Sequence, residues 1–216
     1  MMISLLANDP RQYFAILIVV IISIILHELA HGWVAVKLGD PTPIESGHLN
    51  TLNPLVHMGV FSLILLAVVG IAFGAMPINP SRLRGRYAES LVAVAGPAMN
   101  LLLAIVGTVG LGLWIRMGGV DPQSPVQDNA RLLLQTFGIF NFALMLFNLL
   151  PVPPLDGSRI LANLFPAYRN LLNSQMAQGF MIAIFFALFL GGAQFIFSAS
   201  YAMWSGMIGW VADIGH

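Results

Sequence analysis

The sequence predicts an all-α polytopic membrane protein, a helical bundle of about four to five transmembrane segments. Three observations carry that expectation. Of its 216 residues, 58% are hydrophobic and only 8% charged, with a mean hydropathy of +0.85; a soluble domain carries about 25% charged residues. The apolar residues fall into long runs separated by short stretches rich in Pro, Gly and Asn. There is no Cys, so disulfides, thiolate metal sites and cysteine nucleophiles are excluded. The formal net charge is zero, which argues against nucleic acid as a partner and leaves the lipid bilayer as the expected surroundings.

The first span is expected over residues 11–38, long enough to cross a hydrocarbon core of about 30 Å with some tilt. It lacks the cationic start and small-residue cleavage site of a signal peptide, so it is expected to be retained. Lys37, Gly39 and Asp40-Pro41 end it. Its final third contains His27-Glu28-Leu29-Ala30-His31. On a helix, His27 and His31 lie one turn apart on a single face, where two imidazoles can hold one zinc ion. Glu28 beside them is a candidate base. With 5 His and 3 Glu in the chain, the motif has a chance expectation of roughly 0.002. The plainer alternative is a set of polar residues snorkelling at a helix end.

The polar stretch 41–54 follows, where 44–52 could form a short β-hairpin about Gly47. Residues 55–78 are apolar but interrupted by Gly59, Gly70, Gly74 and Pro77, and read either as a span or as a re-entrant segment. Arg82, Arg84 and Arg86 form the only cationic cluster, suited to anchoring at an anionic cytoplasmic surface. Spans are expected over 88–115 and 130–150, a short interfacial helix over 158–171, and one span plus a shorter helix over 176–213. All of this forms a single transmembrane domain, 1–216.

Placing Lys37, Arg82, Arg84, Arg86, Arg159 and Arg169 on one side leaves Arg11, Arg116 and Arg131 on the other. The positive-inside rule then puts the motif near the cytoplasmic face. With the loops at Lys37 and Arg82–Arg86 both cytoplasmic, 55–78 must be re-entrant or surface-lying rather than a single crossing.

Two imidazoles leave a catalytic zinc one protein ligand short. The candidates are His48, His57, Glu45, Glu89, Asp156 and His216. Asp156 is favoured by its side of the membrane and by Pro151, Pro153 and Pro154 before it, since non-helical backbone at membrane depth belongs where it lines a cavity or is buried in protein. Gly157 permits a close turn. Alternatively Asp156 caps the helix that follows. His57 could support a zinc ligand or simply be a polar interfacial residue. Asn100, polar within an apolar segment, bonds a neighbouring helix or approaches the site. Gly70-x-x-x-Gly74 is a weak packing signal.

HELAH together with Asn148-Leu149-Leu150-Pro151-Val152-Pro153-Pro154-Leu155-Asp156-Gly157 resembles the site-2 protease family of zinc intramembrane metalloproteases, which pairs HExxH with a downstream NxxPxPxLDG. Gly96-Pro97-x-x-Asn100 and Thr51-Leu52-Asn53-Pro54-Leu55-Val56-His57 are similar to family features. The resemblance runs from about Ile24 to Arg159 and implies one zinc per chain on His27, His31 and Asp156, with Glu28 as catalytic base. It implies that Asn148 positions substrate or stabilises the oxyanion. Transmembrane proteins would be the substrates, cut in or near their spans, in the plasma membrane. The 216 residues leave no room for the PDZ or CBS domain many members carry. The rival function is a zinc or proton transporter using the His/Asp site, which needs ligands along a crossing path.

Overall fold

The computed structural model describes residues 2–118, 121 and 123–213, and among these the structure is helical with no β-strand. A short helix α1 (Met2–Asn8) leads into α2 (Pro10–Lys37), whose start is fixed by Asp9 accepting a hydrogen bond from the Gln12 N–H and by Pro10 in its first turn. Helices α6 (Ala88–Arg116) and α7 (Pro125–Asn148) are the other two long enough and apolar enough to cross a membrane. α6 packs most extensively on α7 and α2. Near the C-terminus, α10 (Gln175–Gly191) and α11 (Ala193–Asp213) meet at a 57° bend and make a fourth crossing if counted as one broken span.

Contacts fix the directions. His31 of α2 faces Val92 of α6, and His27 faces Asn100, so α2 and α6 run antiparallel. Asn100 meets Asn141, and Gly107 lies against Phe137, so α6 and α7 are antiparallel as well. The end of α2, the start of α6 and the end of α7 therefore lie at one end of the bundle. Buried side chains from these helices, Val19, Ala104, Leu111 and Phe142 among them, fill the space between. Gly107, Gly112 and Gly138 admit Phe137, Val211 and Trp204 closer than a β-carbon would allow, as expected where helix association depends on close packing rather than on exclusion of water.

Residues 55–78 do not form one helix of membrane-spanning length. Helix α4 (Pro54–His57) and helix α5 (Gly59–Val68) run toward the start of α2, where the Tyr13 hydroxyl donates to the Ala67 carbonyl. The chain turns at Gly70 (φ +94°) beside Met2 and comes back extended. On the return, Ser62 Oγ donates to the Phe73 carbonyl and accepts from its N–H, and the Ala75 N–H donates to the His57 carbonyl. The hairpin leaves from the motif end of α2 and comes back to it, as re-entry requires. Gly70 and Gly74 thus serve a turn and a close approach, not a helical packing stripe.

The stretch 44–52 is not a β-hairpin. Thr42–Glu45 is a helical turn (α3) and His48–Asn50 a 3₁₀ turn. The reason is local: the buried Asp40 carboxylate accepts from the Thr42 N–H and hydroxyl, which starts α3 with Pro43 in its first turn. The same carboxylate accepts from the Asn79 N–H at 2.7 Å, tying the end of the hairpin to the end of α2.

Candidate metal centre

α2 presents His27 and His31 toward α6, and both are buried. The proline loop after α7 delivers the third group. Pro151 to Leu155 is non-helical, with a cis peptide between Pro153 and Pro154, and α8 (Asp156–Leu164) begins at Asp156 itself. The Tyr168 hydroxyl, on α9 (Pro166–Leu172), holds the loop by donating to the Pro151 carbonyl. A β-carbon at Gly157 would run into the Leu149 and Leu150 carbonyls, so only glycine lets α8 start this close to α7. Asp156 makes no side-chain cap; its carboxylate points at the histidines instead.

His27 Nε2 and His31 Nε2 are 3.0 Å apart, and Asp156 Oδ2 lies 3.1 and 3.3 Å from them. The hydrogen bonds around them fix the protons. His31 Nδ1 lies 2.7 Å from the Val92 carbonyl, which can only accept, so Nδ1 carries the hydrogen. The Asn141 amide nitrogen donates to the Phe137 carbonyl and to Ser23 Oγ, which orients that amide and turns its oxygen to the Asn100 amide nitrogen. Asn100 Oδ1 is left 2.6 Å from His27 Nδ1, which donates to it. With Nδ1 of each ring committed, Nε2 is the atom that both imidazoles turn toward Asp156 Oδ2, a buried oxygen without a hydrogen-bond partner, and in the neutral form each would present a lone pair there.

Three such ligand atoms facing one point can hold a cation, and two imidazoles with one carboxylate suit zinc with a fourth position open. The space is kept clear by Gly96: a β-carbon there would overlap both Nε2 atoms. Val92, Gly96 and Asn100, four apart, form one stripe of α6 that supports both histidines.

Glu28 is buried beside this cluster, and Gly74 of the returning hairpin passes so close that a β-carbon would overlap its carboxylate. Asn148 ends α7 with its amide nitrogen on the Leu144 carbonyl, not on the three-residue cluster. His57 is buried, with Nε2 donating to the Thr51 carbonyl and its ring against His48, and its hydrogen bond goes to neither His27 nor His31. Asn100 does both things considered for it, bonding α7 and reaching the site. His216 lies outside the described residues. Gly96 was named in the sequence only within the Gly96-Pro97-x-x-Asn100 resemblance, without the space it leaves, and Ser23 and Asn141 were not named at all. A signal existed for both: Asn141 is polar in an apolar run, and Ser23 stands one turn before His27.

Comparison with known proteins gives the same result. Residues 15–192 match the model of peptidase family M50. The chain is 37% identical over 193 residues to the "Putative zinc metalloprotease YwhC" of Bacillus subtilis (strain 168), covering 88% of this chain and 84% of that protein. It is 32% identical over 190 residues to the "Putative zinc metalloprotease Rip2" of Mycolicibacterium smegmatis, covering 81% and 68%. The "Zinc metalloprotease MJ0392" of Methanocaldococcus jannaschii shares 27% identity over 185 residues, 84% of this chain and 44% of that protein. No solved structure matches the chain significantly. With most of its length matched and its paired motifs meeting in one buried cluster, the chain belongs to peptidase family M50, the site-2 protease family of zinc metalloproteases.

Proposed function

We propose that the protein is a zinc-dependent intramembrane endopeptidase that cuts transmembrane proteins in or near their membrane segments, close to the cytoplasmic face of the plasma membrane. The observation that carries this reading is the convergence of His27 Nε2, His31 Nε2 and Asp156 Oδ2 beside buried Glu28, within a membrane-length helix. His31 is six residues before Lys37, about 9 Å of helix, so water reaches the cluster from one membrane face. No chain of further ligands favours a transporter, since among the described residues this is the one such cluster.

A zinc ion on His27, His31 and Asp156 would supply Lewis acidity, activating a water and polarising the scissile carbonyl. Glu28, buried beside the three ligands, is the carboxylate placed to accept a proton from an attacking water and return it to the departing amine. Asn100 and the Val92 carbonyl keep the imidazoles in the tautomer that presents Nε2. Asn148, with its amide oxygen uncommitted, is assigned to positioning the substrate. A substrate helix must unwind before attack, because its amides are internally bonded. The non-helical chain at Gly74 to Ile78, passing Glu28 and Gly32, is the segment along which an unwound substrate would lie.

The test is Glu28→Gln in purified protein. Zinc content should be unchanged while cleavage falls about 10²–10⁴-fold, the usual worth of a positioned base. Proteolysis at the parent rate with zinc bound would overturn the assignment.

A further inference from the structure

A cleft of about 470 Å³ opens beside the metal cluster. One wall is the returning hairpin and its continuation, with Met76, Ile78 and Leu83; the floor is Val92 and Ala93 of α6, and the other wall is α8 and α9. Its position is set by the site, since Val92 supplies the carbonyl that holds His31 and Ser158 is two residues from Asp156.

The cleft carries three charged side chains, Glu89, Arg159 and Arg169, all exposed. Arg159 is three residues after Asp156 on α8, so the two share a face one turn apart. Arg169 uses Nε on the Ala162 carbonyl, which holds the side chain against α8 and leaves its terminal nitrogens for another acceptor. Among the described residues neither guanidinium forms an ion pair with a carboxylate; the arginines that do, Arg11 and Arg82, lie elsewhere. Two unpaired guanidiniums against one carboxylate leave an excess of positive charge in a cleft that borders the candidate metal cluster through Val92 and Ser158.

We propose that this cleft is a substrate subsite in which Arg159 and Arg169 receive an acidic side chain of the extended polypeptide close to the bond to be cut. The proposal rests on the peptidase reading for the word substrate, but its physical content is a binding preference. The apolar walls take the neighbouring side chains, and the guanidinium pair sets the charge selected.

The test uses the full chain with zinc bound, in non-ionic detergent, carrying Glu28→Gln so that binding is read without turnover. The probes are fluorescent peptides identical except for one central Asp, Asn or Lys. The Asp peptide should bind roughly three- to tenfold tighter than its Asn twin, in keeping with partly exposed charge pairs, and the advantage should shrink with added salt. Arg159→Glu with Arg169→Glu should invert the order in favour of the Lys peptide, a gain that a misfolded protein cannot produce. Equal affinities for the three peptides, or an unchanged order in the reversed variant, would overturn the proposal. Displacement of the Asp peptide by glycerol phosphate as readily as by the Asp peptide itself would overturn it too, reassigning the cleft to a lipid headgroup. Incubating the same peptides with protein retaining Glu28 separates the two readings. Charge-selective binding without hydrolysis would sink the peptidase and leave the cleft, and hydrolysis indifferent to charge would do the reverse.

Discussion

The residue that does most for the metal by having no side chain is Gly96. Its missing β-carbon leaves the space where the two Nε2 atoms converge. Gly96→Ala adds a methyl group there, while alanine suits a helix interior better than glycine by about 1 kcal/mol. Zinc stoichiometry should fall toward zero with helical content retained, measured by metal analysis beside circular dichroism; full zinc loading would show that the cradle lies elsewhere. Asn141 acts at one remove. Asn141→Leu takes away the oxygen that orients the Asn100 amide and so frees His27 to rotate. Loss of such an outer support commonly weakens metal affinity about 10–100-fold, to be read by chelator competition. An unchanged affinity would mean that Asn100 holds His27 unaided. These positions show what a sequence hides. HELAH and LDG could be found because their chemistry is written in side chains at fixed spacing. Gly96 works by absence, and Ser23, Asn100 and Asn141 become a relay only once three helices are laid side by side.

Among the elements, the hairpin over α4 and α5 departs furthest from what hydropathy indicates. Its residues are apolar enough for a span, but α5 has only 10 residues, about 15 Å. Gly70 then turns the chain, and Ser62 pairs with the returning backbone. The charge distribution left re-entry or a surface-lying helix as the alternatives to a span, and the folded-back hairpin is compatible with the first of these. The reverse error arose at 44–52, where an imperfect alternation suggested strands and the Asp40 cap produced a turn of helix. Asp40 also gives this region a pH dependence. Burial works to raise its pKa, but the hydrogen bonds from Thr42 and Asn79 and the charge of Arg82 outweigh it and hold it below its ordinary value. Its contribution is therefore complete above the unfolded value near 4 and is lost as pH falls through the lower folded one. Asp40→Asn should lower stability at neutral pH by about 1–3 kcal/mol. The difference from the parent in detergent melts should shrink as the pH drops below about 4; a gap that is constant across that range would rule out the charge as its source.

For the whole molecule, the antiparallel run of α2, α6 and α7 explains why motifs far apart in sequence share one end of the bundle. Because the chain has no Cys, single cysteines report sidedness against a clean background. Ser46→Cys and Ser81→Cys should react with an impermeant maleimide from the same side, the cytoplasmic one, and Ser124→Cys from the other. Labelling of Ser46→Cys and Ser81→Cys from opposite sides would make 55–78 a true crossing and remove the charge argument for the site's location.

The metal ligands also carry a schedule. His31 and Asp156 are 125 residues apart, 156 less 31, and a ribosome adding about 5–20 residues per second takes roughly 6–25 s to cover that distance. For that whole interval the carboxylate that would complete the proposed zinc site is still unmade, while Asn100 and then Asn141, which support His27, are added before it. The nascent protein therefore inserts beside other newly made membrane proteins with an incomplete metal site, and gains its full set of ligands only when α8 emerges and folds back.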